Sequence, residues 1–294
     1  MRWAAASLVV ACSLAASAAW AQPVTEPALT EIMRQRGRAF SQTLDELQAL
    51  SGQGSAGATA ILAGYRALQA NDFPTACRAW ESAADVSAEA AHLTAECYEH
   101  GHGGATDVAH AIALYTQAAD AGFGKSSCAL GNLYMAGTGV ERDPERGVEL
   151  CRQGAERGDP DAQTDLGNFY LRGQGVGQDY AEARRWYQLA VTGYRHPNAA
   201  FSLGYLYWNG DGGERDHAQA AIYLRMAYEG GREDAAFLLA LEALERARVE
   251  GGFEVGPLRE AESWLGRVEL DDANAAEAAE LLEAVRALLS RAGS

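Results

Sequence analysis

The sequence predicts an all-α fold, a superhelical solenoid of stacked antiparallel helix pairs. Three observations carry that prediction. Tyr98, Tyr134, Tyr170 and Tyr207 follow one another at spacings of 36, 36 and 37 residues. A glycine pair trails each tyrosine: Gly101/Gly103, Gly137/Gly139, Gly173/Gly175 and Gly210/Gly212. An aspartate and then a small residue follow in register: Asp107 and Ala111, Asp143 and Gly147, Asp179 and Ala183, Asp216 and Ala220. Self-similarity at such a period marks stacked helical units.

Residues 1–21 read as an export leader. Arg2 gives a short basic start, Ala4 to Ala19 is a run of small and apolar residues, and Ala19-Trp20-Ala21 fits the A-x-A pattern ahead of cleavage at Gln22. The run matches a leader core rather than a membrane span of roughly 20 strongly apolar residues. Val9-Val10-Ala11-Cys12 resembles a bacterial lipoprotein box, so a lipid anchor on Cys12 is the alternative. It would leave only Trp3 to Ala11 as apolar core, which favours cleavage after Ala21. No later window is apolar enough to span. The mature chain is expected to be soluble and periplasmic.

Residues 22–57 comprise a candidate helix, Glu26 to Leu50, with Phe40, Leu44 and Leu47 on one face, and a Gly/Ser-rich linker, Ser51 to Ala58. Residues 58–87 form a degenerate half-unit. Ile61, Leu62, Tyr65 and Leu68 sit at helical spacing, and Asp72-Phe73-Pro74 restarts a helix carrying Ala76, Trp80 and Ala83.

Four full units follow, at residues 88–124, 125–159, 160–195 and 196–232. In each, leucine and aromatic residues give the first helix one apolar face. Gly131, Gly167, Gly204 and Ala95 lack bulk there, so a neighbouring helix can approach. The glycine pair supplies positive φ where the helix stops and reverses. The aspartate precedes the second helix, where its side chain can cap free N–H groups. One helix pair buries too little surface alone, and stacking makes a continuous core.

These units resemble the Sel-one-like repeat family, relatives of the tetratricopeptide repeats. The matching stretches are Leu130-Gly-Asn-Leu-Tyr-Met-Ala-Gly137-Thr-Gly139-Val140 and Leu166-Gly-Asn-Phe-Tyr-Leu-Arg-Gly173-Gln-Gly175-Val176, then Asp179 and Ala183-Arg-Arg-Trp186-Tyr187. The resemblance covers roughly residues 58–232. The first and fourth units depart from it, with Ala95 for glycine and His100-Gly-His102-Gly in one turn and Asn209-Gly-Asp-Gly-Gly213 in the other. Residues 233–294 continue as a degenerate unit and a cap. Glu233 to Glu250 reads as a long helix, Ala261-Glu-Ser-Trp264-Leu265 repeats the second-helix signature, and Ala273 to Leu289 closes the array with Leu281, Leu282, Val285 and Leu289.

Cys77, Cys97, Cys128 and Cys151 remain beyond the leader, and four cysteines permit three pairings. Antiparallel helices bring residues equidistant from their shared turn to one height. Cys77 and Cys97 straddle residue 87, in an interhelix loop, and Cys128 and Cys151 straddle the Gly139-Val140 turn. That symmetry selects Cys77–Cys97 and Cys128–Cys151. Bridges fit an oxidising compartment, each contributing roughly 3 kcal/mol by closing its loop. Four unpaired core cysteines are the alternative, since Cys151 stands where the next unit has Tyr187.

The chemistry is less explicit. Forty acidic residues face 24 basic ones, a formal charge of −16, which disfavours nucleic acid and anionic lipid as partners. There is no phosphate loop, no G-x-S-x-G, no H-E-x-x-H and no C-x-x-C, and no cofactor is expected. A catalytic set is not expected either. His100 and His102, with His92, Cys97, Asp107 and His110 nearby, are the best metal candidates, though solvated loop histidines are the simpler reading. Some cysteine-rich members of the family are associated with penicillin binding and weak β-lactam hydrolysis. This chain has a single lysine, Lys125, no S-x-x-K, and different cysteine spacings, so a cell-wall or β-lactam-binding protein with weak hydrolase activity stays as the alternative.

The resemblance implies an interaction scaffold whose first helices line a groove for a protein or peptide. Asn132 and Asn168 follow the helix glycine, where an amide can hold a peptide backbone through donor and acceptor together. Tyr205 takes the equivalent place in the fourth unit, with Arg172 and Trp208 one turn further on. Exported members of the family are linked to envelope regulation, host contact and control of sensor kinases, which points to an envelope or signalling partner.

Overall fold

The computed structural model describes residues 40–250, 252–268 and 274–292. The predicted leader, Cys12 and the part of the predicted first helix before Phe40 lie outside the described residues. The chain is an all-α solenoid, with helices α1 (Phe40–Gly52), α2 (Ala56–Gln69), α3 (Phe73–Glu81), α4 (Ala88–His100), α5 (Val108–Asp120), α6 (Gly124–Ala136), α7 (Pro144–Glu156) and α8 (Pro160–Arg172). Then come α9 (Tyr180–Tyr194), α10 (Pro197–Asn209), α11 (His217–Glu229), α12 (Ala235–Ala247), β1 (Arg248–Val249), β2 (Gly252–Phe253), α13 (Val255–Leu265) and α14 (Ala275–Ala292). Two compact units emerge: one runs to Asp179 and includes Thr192–Tyr194, the other holds Tyr180–Val191 and everything from Arg195.

In the first unit each helix from α1 to α8 packs on its neighbour in sequence. The core alternates small and large side chains: Ile61, Tyr65, Trp80, Leu93, Tyr115, Leu130 and Leu133 with alanines such as Ala76, Ala90, Ala91 and Ala118. The expected linker is shorter than Ser51 to Ala58. α1 runs through Gly52, and the Ser55 hydroxyl accepts the Ala58 N–H at 3.0 Å, starting α2 at once. Alanine-rich sequence after a good cap favours helix over coil.

The turns of the repeats are built alike. Gly101, Gly137, Gly173 and Gly210 end their helices in the left-handed region, at φ of 70°, 76°, 66° and 82°. The amide of the following aspartate then donates to the carbonyl of the repeat tyrosine. The bonds Asp107–Tyr98, Asp143–Tyr134 and Asp179–Tyr170 are each 2.9 Å, and Asp216–Tyr207 is 3.0 Å. The carboxylates of Asp107, Asp143 and Asp216 accept the N–H three residues on and begin α5, α7 and α11.

α6 and α7 approach closely, backbone against backbone. A Cβ on Gly131 would lie 2.5 Å from the Gly147 carbonyl oxygen, and one on Gly147 would lie 2.6 Å from that of Gly131. Two bridges join this unit: Cys77–Cys97 from α3 to α4, with Cα atoms 5.9 Å apart, and Cys128–Cys151 from α6 to α7, with Cα atoms 3.8 Å apart. The pairing is the one that hairpin symmetry selects.

In the second unit α10 packs on α11, α11 on α12, α12 on α13 and α13 on α14. Its last core joins Phe237, Ala240, Leu258, Leu265, Ala278 and Val285. Here the structure departs from the predicted Glu233 to Glu250 helix. α12 stops at Ala247, and β1 and β2 pair antiparallel, Arg248 opposite Phe253 and Val249 opposite Gly252. The Glu254 amide closes this hairpin on the Ala247 carbonyl at 2.8 Å. Two-residue strands are too short to show an alternating pattern in sequence.

Candidate functional site

The first helices of successive repeats present equivalent positions 36 residues apart. Glu96, Asn132 and Asn168 occupy one row, and Glu89, Lys125 and Asp161 occupy another, on α4, α6 and α8. Polar and charged side chains of these helices make a series of separate pairs and triplets, buried at Glu89, His92 and Ser126. The Tyr65 hydroxyl donates to Glu89 Oε1 at 2.9 Å. His92 Nδ1 lies 2.9 Å from Ser126 Oγ, and its Nε2 lies 3.2 Å from Glu96 Oε1. Lys125 Nζ pairs with Asp161 Oδ2 at 3.4 Å. Asn132 Nδ2 donates to Asp165 Oδ2 at 3.1 Å.

Burial sets the electrostatics. Glu89 is 3 % exposed, and desolvation pushes its carboxyl up to about 8, against the Tyr65 hydrogen bond and the Lys125 charge. Desolvation also acts to raise Glu96, but His92 and Lys125 outweigh it and bring that carboxyl down to about 2. Burial works to lower Lys125, and Asp161, Glu96 and Asp159 more than reverse it. Asp159 is raised by burial and by the charge of Asp161.

The predicted groove residues divide between the units. In the first, Asn132 is exposed on α6 and anchored to Asp165, Asn168 is half-buried on α8, and Arg172 is exposed in the last turn of α8. In the second, Tyr205 stands out from α10, 46 % exposed, while the half-buried Trp208 stacks on His217 at 4.5 Å and 11°. Glu89, Ser126 and Asp165 belong to no motif that sequence reasoning recognises. The recurrence of Glu89, Lys125 and Asp161 at 36-residue intervals is the sequence signal that marks their row.

The histidine-rich turn spreads its rings. His102 packs against Phe73 and His100, with ring centroids 5.4 and 5.5 Å away, and His110 sits edge-on to Tyr98 at 4.5 Å. Among the described residues, the group whose ligand atoms converge is Cys128, Cys151 and Asp165, and its two sulfurs are joined in a disulfide. Of the polar groups in the two rows, the Asn132 amide stands exposed, while Glu89 is buried and Lys125 is paired with Asp161; an exposed amide has both a donor and an acceptor for a backbone. No helix among the described residues is long and apolar enough to cross a membrane.

The Sel1 repeat model matches residues 88–123, 125–159, 160–192 and 197–231. A Sel1 repeat protein from Oxalobacter formigenes is similar at 25% identity and a TM-score of 0.57, over 70% of this chain and 83% of that one. A protective antigen of uropathogenic Escherichia coli with an SLR fold matches at 26% identity and a TM-score of 0.43, over 76% of this chain and 56% of that one. A putative Sel1 repeat protein from Klebsiella pneumoniae matches at 19% identity and a TM-score of 0.46, over 71% and 99%. No curated protein matches. With four consecutive matches over residues 88–231, and a solved Sel1 repeat structure that is similar, the chain carries an array of four Sel1 repeats.

Proposed function

We propose that this protein is an exported scaffold of the cell envelope that binds a protein or peptide segment along the first helices of its repeats and so regulates an envelope or signalling partner. Sel1 repeats usually mediate protein–protein interaction. The observation that carries the reading is Asn132, an exposed amide held in place by Asp165 at a position that recurs as Asn168 one repeat later. An amide fixed on one side and open on the other is preorganised to meet a peptide backbone, which lowers the entropy cost of binding. The leader-like pattern of residues 1–21 and the two disulfides support export. Arg172 supplies a cationic contact on α8, and Tyr205 an aromatic one on α10. The β-lactam hydrolase alternative has no supporting arrangement among the described residues.

The test is recovery of partners from periplasmic extract by the wild type and by an Asn132→Ala/Asn168→Ala variant. The variant is expected to recover about tenfold less, as loss of one or two hydrogen bonds at roughly 1 kcal/mol each requires. Equal recovery would remove these residues from the interface. Export is checked by the mass of the protein isolated from the periplasm, which is expected to begin at Gln22.

A further inference from the structure

We propose that Cys77–Cys97 is a thiol-exchange site, a bridge that an external thiol opens in the folded protein while Cys128–Cys151 stays closed. The two bridges have different surroundings. Cys77–Cys97 lines a cleft of about 120 Å³ with Arg78, Glu81, Thr94, Tyr98, Gly103, Gly104 and Ala105. Gly103 lies against Cys77 with no side chain of its own to add to the cover. A Cβ there would stand 2.9 Å from Cys77 Cβ and 3.3 Å from its Sγ. Cys128–Cys151 is covered by α8: Cys128 Sγ faces the Asp165 carboxylate at 3.5 Å, and Cys151 Sγ faces the Ala162 carbonyl at 3.6 Å. All four cysteines are buried, Cys77 and Cys97 at 7% and 6% exposure, Cys128 and Cys151 at 3% and 0%.

The charges reinforce the contrast. Exchange converts one sulfur of the bridge into a departing thiolate, and a nearby cation favours it while a carboxylate opposes it. Arg78 is exposed, lines the first cleft, and is tied only lightly, to the Thr75 hydroxyl at 2.9 Å. The acidic residue of that cleft, Glu81, accepts the Tyr98 hydroxyl at 2.6 Å. At the second bridge the nearest charge is the Asp165 carboxylate itself.

The chemistry is ordinary disulfide exchange. The thiolate of an external thiol such as glutathione attacks one sulfur of the bridge, a mixed disulfide forms, and the other cysteine leaves as thiolate. A second external thiolate then attacks the mixed disulfide, releasing the oxidised external disulfide and the second cysteine thiolate. Two external thiols thus supply the two electrons, and both cysteines take protons from water. The consequence is local. Cys77 lies on α3, before the first Sel1 repeat, and Cys97 on α4, inside it, so opening this bridge removes the covalent tie between the flanking helices and the array, while their packing remains. Cys128–Cys151 lies within one repeat.

The experiment exposes the wild-type protein to glutathione under native conditions, alkylates free thiols at intervals and maps them by mass, with circular dichroism to show that the helices persist. Cys77 and Cys97 are expected to react at least about tenfold faster than Cys128 and Cys151. An Arg78→Glu variant is expected to slow the first bridge about fivefold with the anionic glutathione and to leave the second unchanged. The proposal is overturned if Cys128–Cys151 opens first, if both open together with loss of helicity, or if Arg78→Glu slows both bridges equally.

Discussion

A Gly131→Ala variant is expected to lose about 2 kcal/mol of stability, measured by urea unfolding, although alanine is the better helix former. Two effects compete. Propensity favours alanine by about 1 kcal/mol in a helix interior. Packing opposes it, because the new methyl would lie 2.5 Å from the Gly147 carbonyl oxygen and 3.3 Å from the Cys151 amide. Both are backbone atoms, so no rotamer change relieves the contact, and α6 would have to move from α7. The Cys128–Cys151 bridge, with its Cα atoms 3.8 Å apart, resists that movement. Overpacking of this kind typically costs about 1–3 kcal/mol, and a rigid neighbour puts it at the upper end. Gly193→Ala is the matching control, since a methyl there on α9 meets nothing within 4 Å. It is expected to stabilise by up to about 1 kcal/mol. Equal effects at the two positions would show that propensity, not helix approach, governs Gly131.

The second large effect is on pH dependence. Glu89 has its carboxyl pushed up to about 8 in the fold, from an ordinary value of 4.5. The unfolded chain ionises it earlier than the folded one. The stability that Glu89 contributes is therefore present below pH 4.5 and is lost as pH rises toward 8. At about 1.4 kcal/mol per unit, that loss is roughly 3–5 kcal/mol. Glu96 runs the other way. With its carboxyl held down to about 2, its contribution is present above pH 4.5 and is lost as pH falls toward 2. A Glu89→Gln variant keeps an amide oxygen for the Tyr65 hydroxyl and removes the ionisation. Urea unfolding at about pH 5, 6.5 and 8 is expected to show a flatter profile, with the variant at least about 2 kcal/mol more stable than wild type at the alkaline end. Asp159, raised for the same physical reason, leaves some slope behind. An unchanged slope would mean that Glu89 ionises freely in the folded chain.

These cases separate what is legible in the sequence from what is not. The tyrosines, glycine pairs and aspartates mark the helix boundaries because each acts locally, by ending a helix, reversing the chain or capping the next helix. The disulfide pairing is legible for the same reason, since sequence distance from a turn maps onto height along a helix pair. Glu89 is not legible. In Ala88-Glu-Ala-Ala-His92 it looks like a solvated helix residue, and its burial follows from packing with Tyr65, which lies 24 residues upstream and outside the four repeats. The Asp165 contact with Cys128 crosses from one repeat to the next, so no motif within a single unit announces it. The hairpin after α12 is hidden for another reason. Its strands are two residues long, and the leucines and alanines before it carry an uninterrupted helical pattern.

The bond between each repeat tyrosine's carbonyl and the aspartate amide nine residues later lies wholly inside one unit. The main-chain closure of every corner thus draws on that corner's own atoms. Such a protein can gain or shed a whole module of 36 residues during evolution without redesigning that closure, whereas a few residues inserted within a corner would break it.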